Sequence, residues 1–136
     1  MVKEICNRHI TKPVSHGADG LCLCDGQEYW VHDCYIDLQD NPLDDLDEAL
    51  GITYGSHGLV ERCVIRGAGK LVLCGCGDDD KVPLETGKSV IFRNCIFEQG
   101  GRRFPEVQDG MRITLQRCLI QEWGKKSRFI DRSFGA

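Results

Sequence analysis

Four heptapeptides of the chain share one pattern: Trp30-Val31-His32-Asp33-Cys34-Tyr35-Ile36, Leu59-Val60-Glu61-Arg62-Cys63-Val64-Ile65, Ile91-Phe92-Arg93-Asn94-Cys95-Ile96-Phe97 and Thr114-Leu115-Gln116-Arg117-Cys118-Leu119-Ile120. Each leads from a largely apolar pair through two polar residues to a cysteine and a second apolar pair. The cysteines are 29, 32 and 23 residues apart. Such spacing is too regular for chance and too variable for identical units, as expected of coils joined by loops of differing length. Stacked coils bury one stripe of side chains against the coils above and below, so like residues sit on like. A small, weakly polar thiol suits a tight interior bend between two strands, where a larger group overpacks. The pattern predicts an interior column of free thiols at Cys34, Cys63, Cys95 and Cys118.

The other signals agree with strands. Sixteen glycines are spread along the chain, and no long segment keeps a period of 3.6. The apolar runs are short, rich in β-branched and aromatic residues, and bounded by Gly, Asp or Asn. Further strands are expected in Gly20-Leu21-Cys22-Leu23-Cys24 and Lys70-Leu71-Val72-Leu73-Cys74. One short helical turn is expected within 42–50, where Asn41 caps a segment opened by Pro42. At roughly 23–30 residues per coil, 136 residues make about five coils of one domain, 1–136. The segments Val2 to Thr11 and Ser127 to Ala136 have the length of small caps. A solenoid end without a cap exposes a strand edge, and a homo-oligomer built through the ends is the corresponding expectation.

Charge and cysteine usage narrow the function classes. A net charge of −4 and a pI near 5.5 give no basic footprint for nucleic acid or an anionic membrane. No apolar run approaches the ~20 residues of a membrane span, and residues 1–6 show no signal-peptide core. Nine cysteines, an odd number, read as reduced, buried thiols, which points to the cytoplasm unless the chain is a fragment. Cys22-x-Cys24 and Cys74-x-Cys76 invite a four-thiolate zinc reading. Strands two coils apart lie roughly 9–10 Å from each other, too far to share an ion.

From Ala18 to Trp123 the chain resembles the pectate lyase family. Asp19 opens a strand, and Tyr29-Trp30-Val31-His32-Asp33-Cys34 looks like the family's Trp-Ile-Asp-His-Cys segment with the Asp and His exchanged. Asp47-Glu48-Ala49-Leu50-Gly51, then Gly55-Ser56, resemble its Asp-Gly-x-x-Asp…Gly-Ser element. Lys70 to Asp78 is similar to its lysine-to-Gly-x-x-Asp block, and Val90 to Phe97 to its Val-Thr-Phe-His-His-Asn strand and bend. Arg103-Phe104-Pro105-Glu106-Val107-Gln108-Asp109-Gly110 resembles Arg-x-Pro-Arg-Val-Arg-x-Gly.

The resemblance implies an all-β, right-handed, single-stranded parallel β-helix and calcium-assisted β-elimination of an acidic, polygalacturonate-like polysaccharide. Calcium acidifies the proton beside the uronate carboxylate, and positive charge steadies the carbanion-like transition state. Position by position, Asp19 and Asp47 match calcium ligands, Lys70 the substrate lysine and Arg103 the base. Three positions depart. Gly51 stands for a metal-binding aspartate and offers no oxygen. Gln108 replaces an arginine and loses the bidentate fork for a carboxylate. Glu106 puts an anion where the family has a cation. A register slip of three residues makes Asp44 and Glu48 the metal pair instead. The eroded site leaves a second expectation, a non-catalytic carbohydrate-binding or oligomerising β-helix module. Taken alone, the acidic run Asp37 to Glu48 is also what a solvated loop looks like, and Lys70 is also an ordinary gatekeeper charge. Phe104 and Trp123 are candidates to stack on a sugar ring or to close a core.

Overall fold

The computed structural model describes residues 1–12, 19–38, 48–75, 89–108 and 111–123. Within them the chain is all-β, with no helix. The first coil supplies β1 (Val2–Cys6) and β2 (His9–Ile10), and the second β3 (Leu21–Leu23), β4 (Glu28–His32) and β5 (Tyr35–Asp37). The third holds β6 (Leu50–Thr53), β7 (His57–Glu61) and β8 (Val64–Arg66). The fourth holds β9 (Val72–Gly75), β10 (Ser89–Arg93) and β11 (Ile96–Gly100). The last holds β12 (Glu106–Val107), β13 (Arg112–Gln116) and β14 (Leu119–Trp123).

All pairings are parallel, and neighbours in each sheet are three strands apart in sequence. The first sheet is β1-β4-β7-β10-β13, the second β2-β5-β8-β11-β14 and the third β3-β6-β9-β12. Each turn after the first thus gives one strand to each sheet, a pattern consistent with a β-helix-like solenoid. Register stacks like on like. Val31, Val60 and Phe92 form a column in the first sheet, Ile36, Ile65 and Phe97 in the second, and Leu23, Ile52 and Cys74 in the third. All are buried, and each large apolar side chain so buried contributes roughly 1.5–3 kcal/mol. The period of two sends the intervening residues outward, as Trp30 and His32 do on β4.

The bend between the first two sheets explains the recurring cysteine. Asn7, Asp33, Arg62, Asn94 and Arg117 all adopt left-handed backbone, with φ of 55, 56, 51, 54 and 52°. That conformation is unfavourable for a side chain with a Cβ, least so for Asn and Asp. It is held because Asn7, Asp33, Arg62 and Asn94 each donate N–H to a carbonyl of the next coil, at 3.3, 3.1, 3.0 and 2.9 Å. The following thiols point inward. Cys34, Cys63 and Cys95 are buried and Cys118 half-buried, and all are free. Each Sγ–H reaches the carbonyl two residues back, at 3.4–3.5 Å. It also reaches a carbonyl of the preceding coil, those of Ile5, Val31, Val60 and Phe92. The neighbouring Cys95 sulfur and burial together push the Cys63 thiol up. The expected thiol column is present.

Two expectations need adjustment. Val2 to Thr11 is not a cap: β1 and β2 pair in register with β4 and β5. Asn7-Arg8 is a fifth copy of the bend, Arg8 standing where the others have cysteine, since its carbonyl accepts from Tyr35 N–H at 2.8 Å. The helical turn expected over 42–50 lies mostly outside the described residues, and its last residue, Leu50, opens β6. The segment 127–136 lies outside them as well.

Candidate functional site at the edge of the third sheet

The residues just before the third-sheet strands converge from four coils. Asp19 precedes β3, Glu48 precedes β6, Lys70 precedes β9 and Arg103 precedes β12. Backbone hydrogen bonds knit them together: Gly20 N–H to Glu48 O at 3.0 Å, Ala49 N–H to Lys70 O at 3.1 Å, and Val72 N–H to Arg103 O at 2.9 Å. Lys70 bridges to Arg102. Residues 84 positions apart in sequence, Asp19 and Arg103, therefore share one edge because the chain returns to the third sheet once per turn.

The side chains are engaged with each other. Asp19 Oδ1 accepts the Glu48 N–H at 3.0 Å. Arg103 Nη1 donates to Glu48 Oε1, and the Glu48 side chain is only 3% exposed. Arg103 Nε lies 3.1 Å from Glu106 Oε2, near enough for an ion pair but not aligned for a hydrogen bond. Arg103 itself sits in left-handed backbone, φ 62°, a conformation that needs such fixed partners to persist.

The departures from the family pattern prove to be packed. A Cβ on Gly51 would lie 2.1 Å from Asp19 Oδ2, so the Asp19 carboxylate occupies the space that an aspartate at 51 requires. Gln108 lies flat over Gly75, where a Cβ would approach Gln108 Cβ to 2.4 Å. Beside Asp19, burial, then Cys24 and the Asp19 carboxylate, push the Cys22 thiol well above its usual range. Asp44 and Asp47, the remaining candidate calcium ligands, lie outside the described residues. Phe104 is buried at 2% exposure and closes the core, so it presents no ring to a sugar. Of Trp123 only its place on β14 is described.

The third-sheet register separates the Cys-x-Cys pairs. Cys22 stands opposite Gly51, and Cys74 opposite Ile52, the next residue along β6. Their side chains leave opposite faces, and Cys74 is fully buried. Cys22 and Cys74 cannot share an ion. Cys76 lies outside the described residues.

A second polar cluster lies on the outer face of the first sheet, where no site was expected. Cys6, His32, Glu61 and Arg93 are register neighbours across four coils. The His32 ring stacks on Trp30 at 3.9 Å and 24°. Trp30 Nε1 donates to Glu61 Oε1 at 3.0 Å, and Glu61 faces Arg62 and Arg93 at 3.3 and 3.9 Å. His32 Nδ1 lies 2.5 Å from Asp33 Oδ2, and Nε2 lies 2.7 Å from Glu4 Oε2. Arg62 donates to both Asp33 oxygens, at 2.8 and 3.0 Å. Asp33, then Glu4, hold the His32 imidazole above its ordinary range, and Arg62, then His32, hold the Asp33 carboxyl well below its own. The signal for this cluster is the repeat read sideways: the residue two before each bend cysteine runs His32, Glu61, Arg93, Gln116.

No protein-family model, no curated protein and no solved structure matches the chain.

Proposed function

We propose that the chain is a right-handed parallel β-helix of pectate-lyase type whose former catalytic edge has become a structural ion-pair cluster, leaving a non-catalytic module that binds acidic polysaccharide. The hand follows the strong preference of parallel crossovers. The observation that carries the rest is the buried pair of Glu48 and Arg103. A base needs a guanidinium nitrogen aimed at the substrate, whereas Nη1 is committed to Glu48 and Nε faces Glu106. The same pair withdraws the Glu48 carboxylate from any calcium ion. Breaking a buried pair costs several kcal/mol because it strands the remaining charge, and substrate binding would have to offset that before chemistry began. The link to carbohydrate rests on the ordered motifs from Asp19 to Gln108, since fold alone does not fix function.

One observation favours the catalytic reading: Asp19, Glu48, Lys70 and Arg103, chosen for calcium and uronate chemistry, meet on one edge. In that reading Asp19 with Asp44, Asp47 or Glu48 holds calcium, Lys70 binds the uronate carboxylate and Arg103 is the base.

Absorbance at the unsaturated-uronide band, with polygalacturonate and with or without calcium, separates the two. The expected trace is flat, alongside retarded migration of the protein through a gel containing polygalacturonate. A calcium-dependent rise that Arg103→Ala abolishes would establish lysis instead, and a flat trace without retardation would remove the carbohydrate assignment.

A further inference from the structure

The outer face of the first sheet places three different donor types at one spot. Cys6 on β1 and His32 on β4 are direct register partners, so their side chains leave the same face of the sheet. Glu4, two residues before Cys6 on the same strand, joins them there. One ligand atom from each of Glu4, Cys6 and His32 lies within 4.8 Å of the others. Zinc bonds of ~2.3 Å to sulfur and ~2.0–2.2 Å to nitrogen and oxygen set tetrahedral ligand atoms roughly 3.3–3.8 Å apart. The cluster closes on such an ion by rotamer adjustment of Glu4 and Cys6.

What lies behind the histidine distinguishes this spot from an ordinary surface ion pair. His32 Nδ1 is held by Asp33 at 2.5 Å, which directs Nε2 toward Glu4. Asp33 is itself fixed by two hydrogen bonds from Arg62, and the imidazole plane is fixed by the stacked Trp30. The His32 side chain is only 11% exposed. A carboxylate that orients a histidine so that its second nitrogen faces a metal is the usual support of a metal-binding imidazole.

The geometry points to a binding site for a borderline dication of the zinc class, with Glu4, Cys6 Sγ and His32 Nε2 as ligands and a water completing the tetrahedron. Asp33 is a positioning residue that acts through His32. On binding, the Cys6 S–H and the hydrogen lying between His32 Nε2 and Glu4 are both released to solvent as protons, and the cation takes their place. Thiolate and imidazole select zinc or cobalt over calcium, which requires oxygen ligands. The ion would tie β1 to β4 and so fasten the first coil to the second. This site is on a different sheet from the Asp19–Arg103 edge and does not depend on the carbohydrate reading.

Zinc and cobalt(II) titrated into the reduced, chelator-treated full chain test the site. The expected result is about one equivalent bound, with a thiolate-to-cobalt charge-transfer band and a zinc-dependent rise in Tm. Cys6→Ser removes the band and the rise in Tm, while the Cys22→Ser/Cys24→Ser double variant keeps both. His32→Gln weakens zinc binding at least 100-fold, and Asp33→Asn weakens it about 10–100-fold while retaining the charge-transfer band. A wild-type chain without the band, a band that persists in Cys6→Ser, or one that disappears with Cys22 and Cys24 instead would overturn the assignment.

Discussion

The edge of the third sheet and the outer face of the first are both built from arginine–carboxylate pairs, yet the two regions carry opposite energetic weight. Arg103 and Glu48 meet where the carboxylate side chain is 3% exposed. Arg62 and Asp33 meet where the side chains are 48% and 37% exposed. Water screens the second pair, and ordering two side chains offsets much of its attraction. In the first pair the carboxylate has lost its solvation and the guanidinium, 21% exposed, most of its own, so the carboxylate depends on the arginine beside it. The same chemistry is thus a fastening in one place and a weak surface network in the other. A polar cluster whose charges are paired inward has little left to offer a ligand.

The comparison breaks most readily at Glu48. Glu48→Gln is expected to lower unfolding stability by about 2–3 kcal/mol in a urea titration, because Arg103 keeps its charge with only the poorly aligned Glu106 left beside it. A loss below about 1 kcal/mol would place this pair with the surface ones. Next comes Gly51→Asp, which adds a carboxylate beside Asp19. Its Cβ would meet Asp19 Oδ2 at 2.1 Å, and the forced displacement is expected to cost about 2 kcal/mol. Unchanged stability together with new calcium binding would show instead that the edge reopens easily. On the first sheet, Arg62→Ala is expected to leave unfolding stability nearly unchanged, with any difference shrinking as salt is raised.

A further effect, confined to alkaline pH, lies on the inward side of β4 in the same sheet. Burial, and then the Asp25 carboxylate, push the Tyr29 phenol up to about 12, against roughly 10 in an unfolded chain. The unfolded state therefore releases this proton first. Tyr29 contributes stability that is complete below pH ~10 and is lost as pH rises through about 12. Alkaline ultraviolet titration should show one late tyrosine that Tyr29→Phe removes, along with that part of the alkaline loss of stability.

How much of this was legible in the sequence differs by region for a physical reason. The cysteine suits the inward position at four of the five bends, and repetition makes a local preference visible, so the thiol column and the parallel strands followed from Cys34, Cys63, Cys95 and Cys118. Asn7-Arg8 escaped because the bend needs left-handed backbone and a hydrogen-bonded carbonyl, which Arg8 supplies without the thiol. At the third-sheet edge, motif order gave the residues that converge but not their engagement. The Glu48–Arg103 pair depends on how two loops close. That Gly51 is filled by Asp19 is invisible without register. The Glu4, Cys6 and His32 cluster has no motif spacing, because Glu4 and Cys6 on β1 meet His32 across strands.

Arg103 pairs with Glu48 at the edge of the third sheet, which makes it a structural partner. A double-mutant cycle of Glu48→Gln and Arg103→Gln, followed by urea unfolding, tests it most directly. The expected coupling is about 2 kcal/mol or more, with the double variant more stable than the sum of the single losses implies. Losses that add within about 0.5 kcal/mol would show that the two side chains act independently, and would return Arg103 to the substrate.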